Sequence, residues 1–242
     1  MSKLKLGIPS KGRLMESTIE WLTKSGLAVT LPQRIREYSA AFDNFSEVEI
    51  IFLSAAEIPQ ELAIGKIDLG ITGQDLIQEK IPEWQRFAVE LKLLNFGRAN
   101  LVLAVPKFWV DVDSIDDLDL VATSFRRRHL HRLRIATKYH NLVWSYLRLM
   151  GVADYQLVDS QGATEGSIKS DNAEVVADIT SSGQTLDANH LKVIGDEPIL
   201  RSQATLYLSR SASFNSEKML LLEEMSKKLN FNLRQATSLK DS

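Results

Sequence analysis

The sequence predicts an α/β fold with largely parallel sheets, arranged as one large domain or as two lobes. Short β-rich runs alternate with segments of helical period along almost the whole chain, which is typical of parallel α/β architecture. A chain of 242 residues is long enough to bury a sizeable core. Its content of 44% hydrophobic and 25% charged residues is that of an average globular protein and argues against a disordered, collagenous or membrane chain.

The first half of the chain repeats a unit of strand, polar turn and helix. A strand pattern at 3–8 leads through a turn at 9–12 into a helix with apolar residues at helical spacing, which Gly26 ends. The predicted elements that follow are a strand at 48–53, a helix at 55–64, a strand at 67–71, a helix from about 75, and extended runs at 87–94 and 100–105.

A second series with the same alternation begins near residue 100. It comprises a strand at 133–137, a helix at 141–150, a strand at 155–158, a loop at 159–166 followed by a short helix, a strand at 175–179 and a loop at 180–185. Strands at 192–196 and 203–208 have no assigned neighbours, and a helix is expected at 215–230. We therefore predict a first lobe at 1–98 with 184–214 returning to it, a second lobe at 99–183, and a C-terminal helix and tail at 215–242.

Composition and charge exclude several classes of function. The 29 basic and 31 acidic residues leave a formal net charge of −2, so no global field marks a nucleic-acid or membrane-surface protein. The absence of cysteine excludes disulfides, thiolate zinc sites and a cysteine nucleophile, and the four histidines show no metal-site spacing. No signal peptide or membrane span is recognisable, so we expect a cytoplasmic protein without membrane contact.

One stretch of the chain is strongly basic. Residues 119–138 contain six Lys or Arg residues and two histidines against a single acid, Asp119. A solvated basic helix or an oligomer contact is the favoured interpretation. A nucleic-acid patch is the weaker alternative, because no row of aromatic residues or known binding motif accompanies the charges.

Three loops with glycine and polar residues follow predicted strands and open predicted helices. They lie at 9–13, 159–167 and 180–185, where free N–H groups at strand ends favour anions. Lys11 and Arg13 oppose the dipole of the helix that they open, and a bound anion would resolve that conflict. The loop at 159–167 fits a monophosphate cradle or, equally, an ordinary capped turn. An acid such as Asp178 at a strand end is more often a cap or a salt-bridge partner than a ligand contact.

The common catalytic motifs are absent from the chain. There is no Walker loop, no HExxH, no GxSxG and no Rossmann glycine fingerprint. Hydrolase and dehydrogenase functions therefore have little support.

A collinear set of segments resembles the ATP phosphoribosyltransferase family. The signature run carries Glu165, Ala173, Val176, Asp178, Ile179, Ser182, Gly183, Thr185 and Leu186. Supporting segments lie at 10–14, 65–76, 96–98 and 134–142, so that the resemblance spans about residues 4 to 208. The chain departs from the family pattern at three positions, with Asp171 in place of Gly, Ala99 in place of Cys, and His140 in place of Pro.

The resemblance implies a fold and a reaction. The fold has two lobes like those of type II periplasmic binding proteins, with the active site in the cleft between them. In the reaction, N1 of ATP attacks C1 of phosphoribosyl pyrophosphate with inversion, giving N1-(5-phosphoribosyl)-ATP and pyrophosphate in the first step of histidine biosynthesis. Mg²⁺ is required and is carried by the substrate phosphates, so no protein metal site is expected.

The resemblance also implies roles for individual residues. Pyrophosphate is stabilised by Lys11, Arg13 and Arg36, and the positively charged sugar is stabilised by Asp178. Phosphoribosyl pyrophosphate is bound by Asp159 near the ribose and by Gly162, Ala163, Thr164, Glu165, Gly166 and Ser167 around the 5-phosphate. ATP is contacted by Gly73, Asp75, Phe96, Gly97, Ser182, Gly183 and Thr185.

Chain length indicates the short form of the family. Long members carry a regulatory domain after the second lobe, and only about 30 residues follow the last predicted strand here, which is too few for a separate domain. Short forms work with a regulatory subunit that is a paralogue of histidyl-tRNA synthetase. We therefore expect a homodimer within a hetero-octamer, with the terminal helix and the basic stretch as candidate contact surfaces.

Two other functions remain open from the residues alone. A non-catalytic two-lobed module that binds a solute or anion would use the same fold. A different phosphoribosyltransferase is disfavoured, because such enzymes usually place two adjacent acids before a Gly/Thr loop, and the strand that ends at Asp159 has one.

Overall fold

The chain divides into two units, each with its own β-sheet, in a computed structural model that describes residues 3–30, 39–43, 45–160 and 164–233. The first unit comprises the residues up to Gly97 and those from Gln203 onward, and the second comprises Arg98–Ser202. The second unit is therefore inserted between two parts of the first.

The described elements alternate much as the sequence predicts. The strands are β1 (Leu4–Pro9), β2 (Val29–Thr30), β3 (Ser39–Phe42), β4 (Phe45–Leu53), β5 (Leu69–Gly73), β6 (Ala88–Leu93), β7 (Ala99–Pro106), β8 (Leu133–Thr137), β9 (Tyr155–Asp159), β10 (Val175–Thr180), β11 (Leu191–Ile194), β12 (Leu200–Ser202) and β13 (Ala204–Ser209). The helices are α1 (Gly12–Lys24), α2 (Ile58–Ala63), α3 (Gln74–Lys80), α4 (Ile115–His129), α5 (His140–Leu149), α6 (Gly166–Lys169), α7 (Gln184–Ala188) and α8 (Ser216–Leu229).

The sheet of the first unit has the strand order β2-β3-β4-β1-β5-β13-β6 among the described residues. β1 is central and runs parallel to both of its neighbours, β4 and β5. Its residues are buried almost without interruption, as is usual for a strand inside a parallel sheet. β13 runs antiparallel between β5 and β6, so the returning part of the chain completes this sheet.

Helices pack on the sheet of the first unit through apolar side chains. Leu22 of α1 and Leu222 and Met225 of α8 join one core cluster with the strands. α2 packs in a second cluster and lies close to β5. A Cβ on Gly70 of β5 would be only 2.8 Å from Ile58 Cγ2 of α2. The glycine in β5 therefore sets how near α2 lies to the sheet.

The sheet of the second unit has the order β11-β7-β10-β8-β9, and β12 also pairs with β7. β8 is parallel to β9 and β10, whereas β7 is antiparallel to β10, β11 and β12. The core of this unit is formed by side chains from the sheet and from α4 and α5, including Leu118, Leu133, Ile135, Val143 and Leu147.

Half of the Lys and Arg residues of the basic stretch lie in α4. Ser114 and Asp117 form a capping box at the start of the helix, and the Ser114 hydrogen bonds lower the pKa of Asp117. Acids occupy the first turn, and the last turn holds Arg126, Arg127, Arg128 and His129. The cations in the last turn complement the negative end of the helix dipole.

One predicted boundary differs from the structure. The sequence placed the return to the first lobe at 184, but β11 and β12 both pair with β7 in the second unit. The chain returns at Gln203, and the first crossing falls between Gly97 and Arg98. The predicted boundary is wrong because the pattern of a short strand does not reveal which sheet it joins.

α8 packs on its own unit through its buried face. Leu222, Met225 and Leu229 enter the core of the first unit. Lys218 Nζ lies 2.7 Å and 2.9 Å from the two carboxylate oxygens of Asp68, at the first turn of the helix. At the other end, Lys92 Nζ donates to the carbonyl oxygen of Leu229 at 2.7 Å.

In the part of the chain that the structure describes, no helix is both long and apolar enough to cross a bilayer.

Candidate active site

Two of the predicted acids lie at the same edge of the second sheet. β9, β8 and β10 are parallel, and Thr137 at the end of β8 is in register with Asp159 on one side and Ala177 on the other. Asp178 follows Ala177 directly. Since neighbouring strands are separated by about 4.8 Å, the backbones of Asp159 and Asp178 are about 10 Å apart. β8 lies between the two strands, and because Asp178 is one residue past Ala177, its side chain leaves the opposite face of the sheet from that of Asp159.

Asp159 is exposed and contacts a histidine that the sequence did not assign to the site. Its side chain is 86% exposed, and its Oδ1 lies 2.7 Å from Nε2 of His140, the first residue of α5. In the sequence, His140 stands out only as a departure from the family pattern. The contact depends on the register of β8 and β9, which local patterns do not provide.

Asp178 is half-buried at the end of β10. Its Oδ1 accepts a hydrogen bond from the backbone N–H of Ile179 at 2.8 Å. This bond fixes one carboxylate oxygen near the strand.

The loop after β9 is only partly described, since Gly162 and Ala163 lie outside the described residues. Thr164 is fully buried, and its hydroxyl is 2.8 Å from the hydroxyl of Ser160. Ser167 is 7% exposed, and its backbone N–H donates to the carbonyl of Thr164 at 3.0 Å. The Thr164 hydroxyl, which was expected to face a phosphate, thus holds the loop together, while Glu165 and Gly166 are half-exposed.

A pocket of about 570 Å³ adjoins this loop. It is lined by Arg134, Val158, Asp159, Gly166, Ser167, Ser170 and Asn172. The guanidinium of Arg134 contacts the Glu174 carboxylate at 2.5 Å, and this partner raises the pKa of Arg134. Glu174 pairs with Arg134, and the other polar side chains that line the pocket are Asp159, Ser167, Ser170 and Asn172.

The third loop presents hydroxyls at the same edge as Asp178. Gly183 has φ of +74°, a conformation that favours glycine, and caps α7. Its backbone N–H donates to the hydroxyl of Thr180 at 2.8 Å. Ser182 and Thr185 are exposed on either side of it. These residues, which the resemblance assigns to ATP, lie with Asp178 in the second unit.

In the first unit, the turn from β1 to α1 carries two exposed cations. Lys11 caps α1, Gly12 has φ of +73°, and Arg13 lies in the first turn of the helix. Within the described ranges, Lys11 and Arg13 form no ion pair. Cations at the N-terminus of a helix oppose its dipole, so this placement does not stabilise α1. Arg36, the third predicted cation, lies outside the described residues.

The other predicted ATP contacts of the first unit surround the adjacent strand end. Gly73 caps α3 and pairs with Ala204, whose backbone N–H donates to the Phe96 carbonyl at 3.0 Å. A Cβ on Gly97 would lie 3.1 Å from Leu14 Cδ1, so this turn packs against α1. Asp75 lies in the first turn of α3. Phe96 packs its ring against the core.

Sequence reasoning missed a polar pair beside this strand end. Gln74 Nε2 donates to Glu90 Oε2 at 3.1 Å, which joins α3 to β6. β6 reaches this place only because β13 runs between β5 and β6, so no local signal could have identified the pair.

Among the described residues, no group of three or more His, Asp or Glu side chains could hold a metal ion.

Comparison with known proteins identifies the family. The family model described as HisG, ATP phosphoribosyltransferase, matches residues 54–230. An ATP phosphoribosyltransferase of Cereibacter sphaeroides is 55% identical over 212 residues, covering 88% of this chain and 90% of that protein. One from Mesorhizobium japonicum is 48% identical, covering 92% of this chain and 96% of that protein.

Solved structures with a similar fold include an ATP phosphoribosyl transferase complex and a binding protein of an ABC transporter. The ATP phosphoribosyl transferase (HisG:HisZ) complex of Thermotoga maritima matches with a TM-score of 0.69 and 22% identity over 94% of this chain and 96% of that chain. A probable amino-acid ABC transporter extracellular-binding protein of Bacillus subtilis, ytmK, matches with a TM-score of 0.53 and 13% identity over 99% of this chain and 96% of that chain. At such identities the likeness shows the fold alone, which is the predicted two-lobed type of periplasmic binding proteins. The family match and the identity to the bacterial relatives show that this chain belongs to the ATP phosphoribosyltransferase family, which catalyses the first step of histidine biosynthesis.

Proposed function

We propose that this chain transfers the phosphoribosyl group of phosphoribosyl pyrophosphate to N1 of ATP through the residues described above. The observation that carries the assignment of the sugar site is the placement of Asp159 and Asp178 at one sheet edge, about 10 Å apart. Since both acids lie where their strands end, both can contact a ribose bound over this edge, and the loop at 164–167 adjoins Asp159.

In the proposed step, the bond from C1 of the ribose to N1 of ATP forms as the bond from C1 to the pyrophosphate oxygen breaks. The electron pair of the broken bond leaves with pyrophosphate. Positive charge develops on the sugar, and a nearby carboxylate stabilises it. We assign this role to Asp178, and assign binding of the ribose hydroxyls to Asp159. N1 attacks through its own lone pair, so no strong general base is needed.

Lys11 and Arg13 stabilise the departing pyrophosphate in this proposal. Both are exposed cations beside Gly12, and an anion would relieve their conflict with the dipole of α1. The family resemblance gives Arg36 the same role. The ATP contacts are assigned to Gly73, Asp75 and the turn at 96–97 in the first unit, and to Ser182, Gly183 and Thr185 in the second.

Mg²⁺ is assigned to the phosphates of the substrates. The described residues contain no cluster of metal ligands, and Mg²⁺ commonly binds through substrate phosphates with few protein carboxylates. The ion supplies charge neutralisation to the pyrophosphate, in addition to that of Lys11 and Arg13.

A regulatory partner is part of the proposal. The Thermotoga maritima structure is described as a HisG:HisZ complex. We assign a partner of that type, a paralogue of histidyl-tRNA synthetase, to this chain, in a hetero-octamer built on a homodimer. The cytoplasm is the assigned compartment, where both substrates are available.

The direct test is an absorbance assay for phosphoribosyl-ATP with purified chain, ATP, Mg²⁺ and phosphoribosyl pyrophosphate. Product formation is expected. Absence of product both with and without the HisZ-type partner would contradict the proposed reaction.

The role of Arg13 is tested by Arg13→Ala. Because the charge that it faces grows as pyrophosphate departs, kcat should fall by about a hundredfold while KM changes little. Lys24→Ala is the matched control, since Lys24 is exposed at the opposite end of the same helix and should leave kcat unchanged. A rise in KM alone for Arg13→Ala would show that the residue binds substrate uniformly and does not act on the leaving group.

A further inference from the structure

We propose that His140 is a positioning residue that fixes the orientation of the Asp159 carboxylate for the ribose of phosphoribosyl pyrophosphate. The inference rests on the role proposed for Asp159 and adds a residue to that site. It starts from the 2.7 Å contact between His140 Nε2 and Asp159 Oδ1.

Two separate elements hold the members of this pair. Asp159 ends β9, and His140 begins α5 directly after β8 and a two-residue turn. The turn is fixed by the backbone N–H of Tyr139, which donates to the Thr137 hydroxyl at 2.9 Å. Thr137 is fully buried and in register with Asp159. The imidazole is thus placed against the carboxylate by the sheet and not by a flexible loop.

The exposure of the two side chains shows which of them needs orientation. The His140 side chain is 38% exposed, whereas that of Asp159 is 86% exposed. An exposed aspartate at a strand end can adopt several rotamers, and binding a ligand in one of them costs conformational entropy. A hydrogen bond from the less exposed imidazole selects one rotamer before the ligand arrives.

The chemistry of the contact leaves the carboxylate available. An imidazole with its proton on Nε2 donates to Oδ1, and Oδ2 remains free to accept a hydroxyl proton of the ribose. Such pre-organisation of a binding group lowers the cost of forming the substrate complex. The benefit therefore appears in the affinity for phosphoribosyl pyrophosphate and not for ATP.

A purely structural role for His140 makes a different prediction. Exposed pairs of this kind contribute little to folding stability. If His140 served only to start α5, its replacement would change the melting temperature and would affect both substrates alike.

The test compares three variants of the full-length chain in steady-state kinetics. His140→Leu and His140→Pro remove the donor, and proline is well suited to the first position of a helix. For both, we expect the KM for phosphoribosyl pyrophosphate to rise about tenfold, with little change in the KM for ATP or in the melting temperature. His140→Gln keeps an N–H donor of similar reach and should stay within about threefold of the parent.

His131→Leu is the matched control, because His131 lies in the same unit outside the pocket beside Asp159. It should leave both KM values unchanged. Equal changes for the two substrates in His140→Leu, or no rescue by His140→Gln, would overturn the proposal.

A double-mutant cycle with Asp159→Ala separates this inference from the proposed function. If His140 acts through Asp159, His140→Leu has no further effect in the Asp159→Ala background. A second tenfold loss in that background would overturn the positioning role. An active Asp159→Ala protein with unchanged KM for phosphoribosyl pyrophosphate would instead refute the role of Asp159 itself.

A readout independent of catalysis completes the test. Nitrogen-15 NMR of the histidine rings should show Nε2 of His140 protonated in the neutral side chain, and the signal should change in Asp159→Ala. If the NMR spectra show the hydrogen bond between His140 and Asp159 but the chain forms no product, the proposed reaction is contradicted and the contact itself is supported. A neutral His140 with its proton on Nδ1 would overturn the inference.

Discussion

Tyr207 has a buried hydroxyl with no hydrogen-bond partner in the part of the chain that the structure describes. Its side chain is fully buried in β13, and its ring meets the ring of Trp84 edge-on with 5.5 Å between centroids. Burial raises the pKa of the phenol, and the negative charge of Glu90 adds to the shift, so Tyr207 stays neutral at physiological pH. A neutral buried hydroxyl without a partner is a cost to stability, which the aromatic packing offsets.

Tyr207→Phe should therefore leave stability unchanged or raise it slightly. The substitution removes an unpaired polar atom and keeps the ring that packs on Trp84. Thermal unfolding followed by circular dichroism measures the effect. Tyr207→Ala is the control for packing and should cost about 3–5 kcal/mol. A clear loss of stability in Tyr207→Phe would mean that the hydroxyl has a partner, such as a buried water molecule.

Among the elements, α8 is joined to the rest of the first unit by a buried ion pair as well as by its apolar face. Asp68 is 1% exposed and accepts the backbone N–H of Lys5 at 2.8 Å as well as the Lys218 ammonium. Asp68, which directly precedes β5, thus contacts both β1 and α8. A buried pair of this kind contributes specificity even where its net stabilisation is small.

Removing one member of this pair should be strongly destabilising. Asp68→Asn leaves the Lys218 ammonium with little exposure and no countercharge, which costs about 3–5 kcal/mol. For a chain of this length, we expect the melting temperature to fall by about 10 °C. Glu20→Gln is the control, because Glu20 and Lys24 form an exposed pair on α1 that should not affect the melting temperature. Equal melting temperatures for Asp68→Asn and the parent would contradict the account of α8.

The same elements show what the sequence can predict. β8 is observed at the predicted residues 133–137, and α5 and β10 are within one residue of their predicted ends, because apolar periodicity and glycine stops are local signals. β2 and β3 were not predicted, since they are short and are stabilised mainly by pairing with each other and with β4. Which strands pair depends on contacts between residues that are distant in the sequence. The boundary predicted at 184 is wrong because β11 and β12 pair with β7.

The candidate site shows the same division between local and distant information. The acid Asp178 and the glycine Gly183 are predicted from their loops and from the family signature. The contact of His140 with Asp159 and the pair of Ser160 with Thr164 could not. Each of these needs a strand register or a loop conformation that becomes known only with the fold.

At the scale of the whole molecule, the two units differ in continuity. The second unit is a single stretch, Arg98–Ser202, with its own core. The first unit needs two separate stretches, because β13 fills the place between β5 and β6. Its first 97 residues alone would leave that place empty and expose the apolar side chains around it.

We expect the fragment 98–202 to fold by itself and the fragment 1–97 not to. Folding of 98–202 should appear as a cooperative thermal transition and as well-dispersed amide signals in a proton–nitrogen correlation spectrum. The fragment 1–97 should show neither. A cooperative transition for 1–97, or a spectrum of an unfolded chain for 98–202, would contradict this division of the molecule.

The two ends of the second unit are neighbours within its own sheet, since Ala99 of β7 is in register with Ser202 of β12. While the second unit is unfolded, the first must close a loop of about 100 residues, at an entropic cost of about 4 kcal/mol. Once the second unit has folded, its ends are already paired and most of that cost has been met. Folding of the inserted unit thus promotes folding of the unit that surrounds it, although their cores are separate.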